Sequence, residues 1–346
     1  MAISLAHNEK SYLSACLLAR DGNADIREWV EYHLWAGVDK VFLFDHNSTV
    51  PMFGEVADYA VEGKVQYTYL TSDLPKVKDF KQGLQGRVFQ RCFDEARGYF
   101  TWMMFTDLDE YTTVSEPSLG HRIPDVLRSF EGSAGAVLAH RRSVGSGGLE
   151  ARAAGQGVLA SFSKCSGMPG DHLKGIAHLD YADVSGNAHM FAYSGGRTGI
   201  RVGDNATVLQ AHAKANPTTS PLLIYHYMGS VGEYARRAQL MGSGVSGMTT
   251  KDLAFYRRLD ANAHYDCPEP TRIWAQMVKD GAVRPRPAAA GPAVAAATVP
   301  VKAAVAKTAS AFEVPHQRQR RTQHGWSRVR QAAAVAKGIT SRRALQ

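Results

Sequence analysis

The chain has 346 residues, 45% of them hydrophobic and 21% charged, a balance that excludes disordered and fibrous classes and gives room for one large domain or two small ones. Its net charge of +8 is unevenly placed: residues 281–346 hold twelve Lys and Arg against one acid, Glu313, while the other 280 residues carry 28 basic and 31 acidic groups. The folded part is therefore mildly acidic, the basic isoelectric point belongs to the tail, and no nucleic-acid partner is expected.

Four cysteines (Cys16, Cys92, Cys165 and Cys267) show no Cys-x-x-Cys spacing, which argues against structural zinc and a dense disulfide framework but leaves one or two bridges open. Cys16 falls in a predicted strand and Cys92 on a predicted helix, where a small buried hydrophobe is the expected role. There is no run of eighteen apolar residues and no signal-peptide pattern. As written the sequence reads as soluble, with a Golgi or other secretory membrane expected if its N-terminus is truncated.

Tyr12 to Ala19 is an apolar run that stops at Arg20-Asp21-Gly22-Asn23, and Asp25 is placed to cap a helix reaching Ala36. Val41 to Phe44 forms a second strand, ending in Asp45-His46-Asn47-Ser48. A helix near 52–61, a strand from Val65 to Leu70, a polar loop, and a helix from Gly86 to Tyr99 follow. The next strand is Trp102-Met103-Met104-Phe105-Thr106, which ends abruptly in Asp107-Leu108-Asp109-Glu110. This β-α alternation predicts a Rossmann-like, mainly parallel sheet flanked by helices. One glycine alone after the first strand weakens a nicotinamide or flavin reading.

Beyond the acidic stretch a helix is expected from Ile123 to Phe130 and a strand from Ala136 to His140. The pattern then changes to short runs: Val158–Phe162, Gly175–Leu179, His189–Tyr193 and Leu222–Tyr227. These predict a smaller mixed or antiparallel part that closes over the carboxyl edge of the sheet. Helices are expected at Gly229–Met241 and Lys251–Ala261. The resulting partition is a catalytic domain over 10–265, an Ala/Pro-rich linker over 281–314 and a basic tail over 315–346, disordered or partly helical. Such a tail is compatible with weak contact to an anionic membrane surface.

Open α/β sheets bind ligands at the carboxyl ends of their strands, where the acids stand here. Asp107 and Asp109 are two apart, so on an extended strand they share a face. Two carboxylates held side by side repel, and a hard divalent cation relieves that repulsion. A solvated turn explains Asp-x-Asp as well. A haloacid-dehalogenase-like phosphatase also places Asp-x-Asp after a buried strand, but normally after its first. A non-catalytic protein binding anionic surfaces through the tail is a third reading.

Taken in order, the motifs resemble glycosyltransferase family 92, whose members have the GT-A fold. The resemblance rests on Glu28-Trp29-Val30-Glu31-Tyr32-His33 with Gly37-Val38, on Asp45-His46-Asn47-Ser48, and most of all on Asp107-Leu108-Asp109-Glu110-Tyr111. Val144 to Gly148, Lys174-Gly175-Ile176, and His226-Tyr227 followed by Ser230 and Glu233-Tyr234 continue it, over roughly residues 12–242. Arg20-Asp21 stands where the family has Asn-Glu, and His46 is inserted between Asp45 and Asn47.

The resemblance implies a metal-dependent transfer of a sugar, galactose by family analogy, from a UDP-linked donor to a glycan or other hydroxyl acceptor, with inversion. It implies Mn²⁺ or Mg²⁺ held by Asp109, with Asp107 binding the metal or the donor, and His226 as a third ligand or phosphate partner. Arg20, Asp21, Asp45, Asn47 and Lys174 are expected around the donor, with Glu28 bracing the nucleotide loop. Ser146-Gly147-Gly148 would let backbone approach the donor sugar, and His189 would lie near the site. The base of an inverting transfer is sought among Asp171, Asp180 and Asp183, between which the sequence does not choose.

Overall fold

The computed structural model describes residues 10–71, 83–187, 189–209, 221–241 and 253–285. The chain opens with β1 (Ser11–Ala19), α1 (Ile26–Trp35), β2 (Lys40–His46), α2 (Phe53–Val61), β3 (Val65–Leu70), α3 (Leu84–Ala96) and β4 (Phe100–Thr106). It continues through β5 (Glu110–Val114), α4 (Ile123–Leu127), β6 (Ala134–Gly145), α5 (Val158–Ser161), β7 (Lys164–Cys165) and β8 (Leu173–His178). The β9 (Ala182–Asn187) and β10 (Met190–Tyr193) hairpin, β11 (Thr198–Arg201), β12 (Thr207–Val208) and β13 (Leu222–Tyr227) come next. Last are α6 (Val231–Met241), α7 (Leu253–Ala261), β14 (Tyr265–Asp266) and α8 (Glu269–Lys279). The sequence-expected β-α alternation is present, within a residue or two at most boundaries.

The first strands are apolar throughout because the sheet is covered on both faces, and side chains alternate between the faces along each strand. Leu13, Ala15 and Leu17 of β1, Val41 and Leu43 of β2, and Trp102 and Met104 of β4 join Ile26, Trp29, Val56, Tyr59 and Ile123 in one core. Cys16, Phe42, Phe44, Met103 and Phe105 point the other way, onto Val88, Phe89, Cys92 and Phe93 of α3 and Phe191 of the hairpin. Helices α1, α2 and α4 thus cover one face, and α3 with the hairpin covers the other.

The strand order is β12-β11-β6-β8-β4-β1-β2-β3, in one mixed sheet. β1, β2, β3 and β4 are mutually parallel, and β8 lies antiparallel between β4 and β6. Twelve-residue β6 has two jobs. Its first half pairs with β11 and β8, and its second half with β13 and β7. β13 is also antiparallel to β5, with His226 opposite Glu110. Of the strands expected to form a smaller mixed part, β8 and β13 are continuous with the main sheet, while β10 pairs with β9 in a separate hairpin.

Three sequence expectations need correction. Val158–Ser161 is a single helical turn, not a strand. Its apolar run is too short to carry a period, and the carboxylate of Glu28 accepts from the Leu159 amide at 2.9 Å, satisfying one of the donors that open a helix. Gly157 is required beside it, since a Cβ there would stand 1.5 Å from Glu28 Oε2. Asp25 occupies the position before α1 but makes no side-chain cap; Arg152 draws it off into an ion pair of 2.7 Å. Cys16 and Cys92 are not inert hydrophobes but are bonded to each other, and Cys165 is bonded to Cys267, so both of the bridges that the sequence left open are present.

The second bridge fastens the chain after residue 265 to the core. α8 packs on α5, Trp35 donates to Asp280 at 2.9 Å, and Arg284 pairs with Glu62 at 2.6 Å. Residues 281–285, the start of the expected linker, thus lie against α1 and α2. The rest of that linker, the expected tail and residues 72–82 of the expected polar loop (72–86) lie outside the described residues. Among the described residues no helix is long and apolar enough to cross a membrane.

Peptide mapping of unreduced protein should recover the 16–92 and 165–267 pairs and no others. The bridges close loops of 76 and 102 residues, so replacing either pair by serines is expected to lower stability by about 2–5 kcal/mol in urea unfolding.

Candidate active site

At the carboxyl end of β4 the chain does not stay extended. Residues 107–109 form a turn, closed by the Glu110 amide donating to the Asp107 carbonyl at 3.0 Å. The expected shared strand face for Asp107 and Asp109 is thereby replaced by two partly exposed carboxylates on a turn, 44% and 31% exposed. Glu110, first residue of β5, is fully buried.

Lys174 holds this turn. Because β8 runs antiparallel to β4, its first residues reach the carboxyl edge, and Lys174, opposite Ala139 of β6, enters beneath the acids. Its Nζ lies 2.7 Å from Asp107 Oδ2 and 2.9 Å from Glu110 Oε2, with the side chain 5% exposed. Glu110 Oε2 also accepts from the Asp107 amide at 3.2 Å, and Arg141 stands 3.8 Å from Glu110 Oε1. Burial alone would discharge the lysine, but the two carboxylates overcome it and hold the ammonium well above its ordinary pKa. Loss of solvation within the cluster works against the charged Asp107 carboxyl, yet the Lys174 ammonium outweighs it and lowers the Asp107 pKa. For Glu110 burial wins, aided by Asp107 and Asp109, and its pKa rises.

His226 approaches from β13, with Nε2 3.7 Å from Asp109 Oδ2. The Tyr227 amide donates to the Asp109 carbonyl at 2.8 Å, and Trp29 Nε1 to the Glu110 carbonyl at 3.0 Å, so β13 and α1 both fix the turn. His189 sits behind Lys174, its Nδ1 3.0 Å from the Leu173 carbonyl. Burial and the nearby ammonium push its pKa down to about 4, so it is neutral at physiological pH.

The loops after β1 and β2 are laced together beside this turn. Asp21 and Asn47 both take left-handed backbone, φ 51° and 52°, which Asp and Asn tolerate better than most residues. The Thr49 amide donates to Asp21 at 2.7 Å, and the Asp21 amide to Ser48 Oγ at 2.7 Å. The bond from the Thr49 amide above all lowers the Asp21 pKa. Asp45 is buried and accepts from the Ser48 and Met52 amides and the Tyr67 hydroxyl, at 3.2, 2.8 and 2.6 Å. It shapes the loop, while Arg20 and Asn47 remain exposed. Glu28 lies behind, with its pKa raised to about 7 chiefly by burial.

The three carboxylates considered as base are separated by the fold. Asp171 is exposed just before β8, at the carboxyl edge. Asp180 and Asp183 follow β8 at the opposite edge, paired with Lys10 at 2.8 Å and Arg97 at 3.8 Å. In the Ser146-Gly147-Gly148 turn both glycines have positive φ, 61° and 83°, and Asp260 of α7 accepts from the Ser146 amide and hydroxyl at 2.6 Å each. Sequence reasoning missed Arg141, Arg152 and Asp260. No spacing marks them, since each meets its partner only through tertiary pairing.

Among the described residues no three His, Cys, Asp or Glu side chains are grouped to hold a metal ion. Asp109 and His226 are a pair within reach of one another, whereas Lys174 already occupies an oxygen of Asp107. Asp109 and His226 offer one carboxylate oxygen and one imidazole nitrogen, so a cation held between them would have to take its remaining ligands from water and phosphate oxygens.

Residues 13–142 match the protein family described as Glycosyltransferase family 92. A Glycosyltransferase family 92 protein of Ricinus communis is 28% identical over 118 residues, 34% of this chain and 18% of that protein. One of Arabidopsis thaliana is 28% identical over 102 residues, 30% of this chain and 16% of that one. The matched segments span less than a third of either relative. Among solved structures, S. aureus TarS 1-349 in complex with UDP-GlcNAc aligns over 77% of this chain and 71% of its own, with 14% identity and a TM-score of 0.37.

Removing the ammonium should expose what it compensates. Lys174→Met leaves two carboxylates adjacent and without their cation, and is expected to lower stability by about 3–5 kcal/mol at pH 7. Those groups then have folded pKa values above their unfolded ones, so the penalty applies above the unfolded carboxylate range and fades as pH falls toward it. Urea unfolding at pH 7 and pH 5 should show the variant recovering toward wild type at the lower pH.

Proposed function

We propose, on the premise that residues 13–142 are of glycosyltransferase family 92, that this chain is a GT-A-type glycosyltransferase using a nucleotide-diphospho-sugar donor. The observation that carries the proposal is the convergence of Asp107, Asp109, Glu110, Lys174 and His226, from three separate segments, at the carboxyl end of the parallel strands. That is where open α/β sheets bind nucleotides. A UDP-sugar is the proposed donor, with UDP-galactose the first to test, and a glycan hydroxyl is the proposed acceptor.

Asp109 and His226 would hold Mn²⁺ or Mg²⁺, which when bound would neutralise the departing diphosphate as a Lewis acid. Asp107, pinned through one oxygen by Lys174, has its other oxygen for the donor ribose or sugar. Lys174 works through the acids: it fixes Asp107 and keeps the Glu110 carboxylate from repelling the donor. Arg20 and Asn47, exposed at the ends of β1 and β2, are proposed to face the nucleotide, while Asp21 and Asp45 keep their loops in shape. In an inverting transfer the acceptor oxygen bonds to the sugar's anomeric carbon as the bond to the diphosphate breaks, and a carboxylate takes the acceptor's proton. Asp171 is the proposed base, being the candidate on the carboxyl edge.

Calorimetric titration of UDP into the full chain should show binding with Mn²⁺ and none with chelator. Asp109→Ala should weaken the metal-dependent binding by roughly 10–100-fold. Absence of UDP binding in both conditions would overturn the donor site.

A further inference from the structure

The motif Glu28-Trp29-Val30-Glu31-Tyr32-His33 takes no part in the chemistry set out above, yet all six residues are buried. What it faces is β5. Among the described residues β5 pairs with β13 alone, so its other edge has no neighbouring strand. The Tyr227 amide donates to the Asp109 carbonyl at 2.8 Å, which places that carbonyl on the β13 side. Backbone groups alternate in direction along a strand, so the carbonyls of Glu110 and Thr112 point to the strandless edge. Both residues are buried, at 0% and 2% exposure, and a buried carbonyl left without a donor costs about as much as a lost hydrogen bond.

Helix α1 supplies the donors. Trp29 Nε1 bonds the Glu110 carbonyl at 3.0 Å, and the Tyr32 hydroxyl bonds the Thr112 carbonyl at 2.9 Å. Residues three apart on a helix share a face, as residues two apart share a strand edge, so the Trp-x-x-Tyr spacing matches the strand it serves. Between these two bonds the Tyr111 hydroxyl donates to Glu28 at 3.3 Å.

The two bonds differ in what they hold. Thr112 lies within the strand, and the Tyr32 hydroxyl also meets Thr113 Oγ1 there, at 2.7 Å. Glu110 stands where the strand meets the acid turn, and its amide closes that turn on the Asp107 carbonyl at 3.0 Å. Besides the indole, its carbonyl meets the Thr106 hydroxyl at a longer 3.4 Å. The indole has little room to give way, being fully buried with its ring centroid 4.0 Å from that of His33.

We propose that Trp29 is a positioning residue of the donor site: by holding the Glu110 carbonyl it sets where the turn of residues 107–109 stands, and with it the Asp109 carboxylate beside His226. The hold on the turn is independent of the transferase reading, and its consequence for donor binding rests on that reading.

Two measurements on the full chain test this, with Trp29→Phe and with benzothienylalanine in place of Trp29, an isostere that keeps the bicyclic ring and lacks the N–H. Tyr32→Phe is the comparator, since it removes the same kind of bond from β5 away from the turn. Hydrogen exchange at the Glu110 and Tyr227 amides, relative to the other amides of β5 and β13, should quicken in both Trp29 variants and not in Tyr32→Phe. Affinity for UDP with Mn²⁺, read by calorimetry, should fall roughly fivefold or more in both Trp29 variants, the scale of one buried hydrogen bond, and stay within about twofold in Tyr32→Phe. A smaller loss than that with the isostere, or a loss in Tyr32→Phe as large as in the Trp29 variants, would overturn the positioning role. Unchanged exchange at the two amides in the isostere would overturn it whatever the titration shows. A wild type that binds no UDP with Mn²⁺ would sink the transferase reading and the consequence for the donor, while quickened exchange in the isostere would still uphold the hold of Trp29 on the turn.

Discussion

One buried ammonium organises the carboxyl edge of this protein. Lys174 is nearly inaccessible, yet it lies within 3 Å of both Asp107 and Glu110. A lysine in such a place is sustained only by the acids around it, and the acids only by the lysine, because an unpaired buried charge is far less stable than a paired one. The arrangement carries a residual negative charge, two carboxylates against one ammonium, with Asp109 adding a third carboxylate on the exposed side. A site of that sign suits the cation, and through it the phosphate, that the proposed function requires. It also explains why Glu110 can be wholly buried: Lys174 and, more remotely, Arg141 stand against it.

This cluster depends on strand direction. β8 must run antiparallel to β4 for Lys174, near its start, to arrive at the carboxyl edge. β13 must pair with both β5 and β6 for His226 to stand by Asp109. The long β6 makes both pairings possible, since it spans from the covered middle of the sheet to the rim. The covered middle supplies rigidity through two apolar faces, and the rim carries the polar groups. The loops after β1 and β2 are held by their own acids, Asp21 and Asp45, whose oxygens are largely occupied by neighbouring amides and hydroxyls.

Much of the fold was legible. Uninterrupted apolar runs such as Val41–Phe44 and Trp102–Phe105 mark strands buried on both faces, and the polar clusters that end them mark the rim. Val158–Phe162 misled because five residues, four of them apolar, carry no usable period, and a carboxylate more than a hundred residues away, Glu28, accepts from the Leu159 amide. Cys16 and Cys92 read as separate hydrophobes because nothing in a strand and a helix 76 residues apart shows that their side chains meet between sheet and α3. Asp25 looks like a cap in sequence, and only Arg152, from a distant loop, turns it elsewhere.

The residue types of the site were likewise visible, and their division of labour was not. The sequence by itself determined that three acids follow a buried strand at the ligand-binding edge of an α/β sheet, because burial and the change from apolar to polar are local properties of the chain. It also determined that Lys174 and His226 are worth inspecting, through a resemblance of motifs in order. Only the tertiary structure decided that Asp107 and Asp109 sit on a turn, that Lys174 binds the first and not the second, and that Glu110 is the buried member. It separated Asp171 from Asp180 and Asp183, which are twelve residues apart at most yet lie at opposite edges of the sheet. The reason is physical: charge pairing acts across a few ångströms of space, and the sheet register that sets those distances is fixed by packing among strands far apart in the chain.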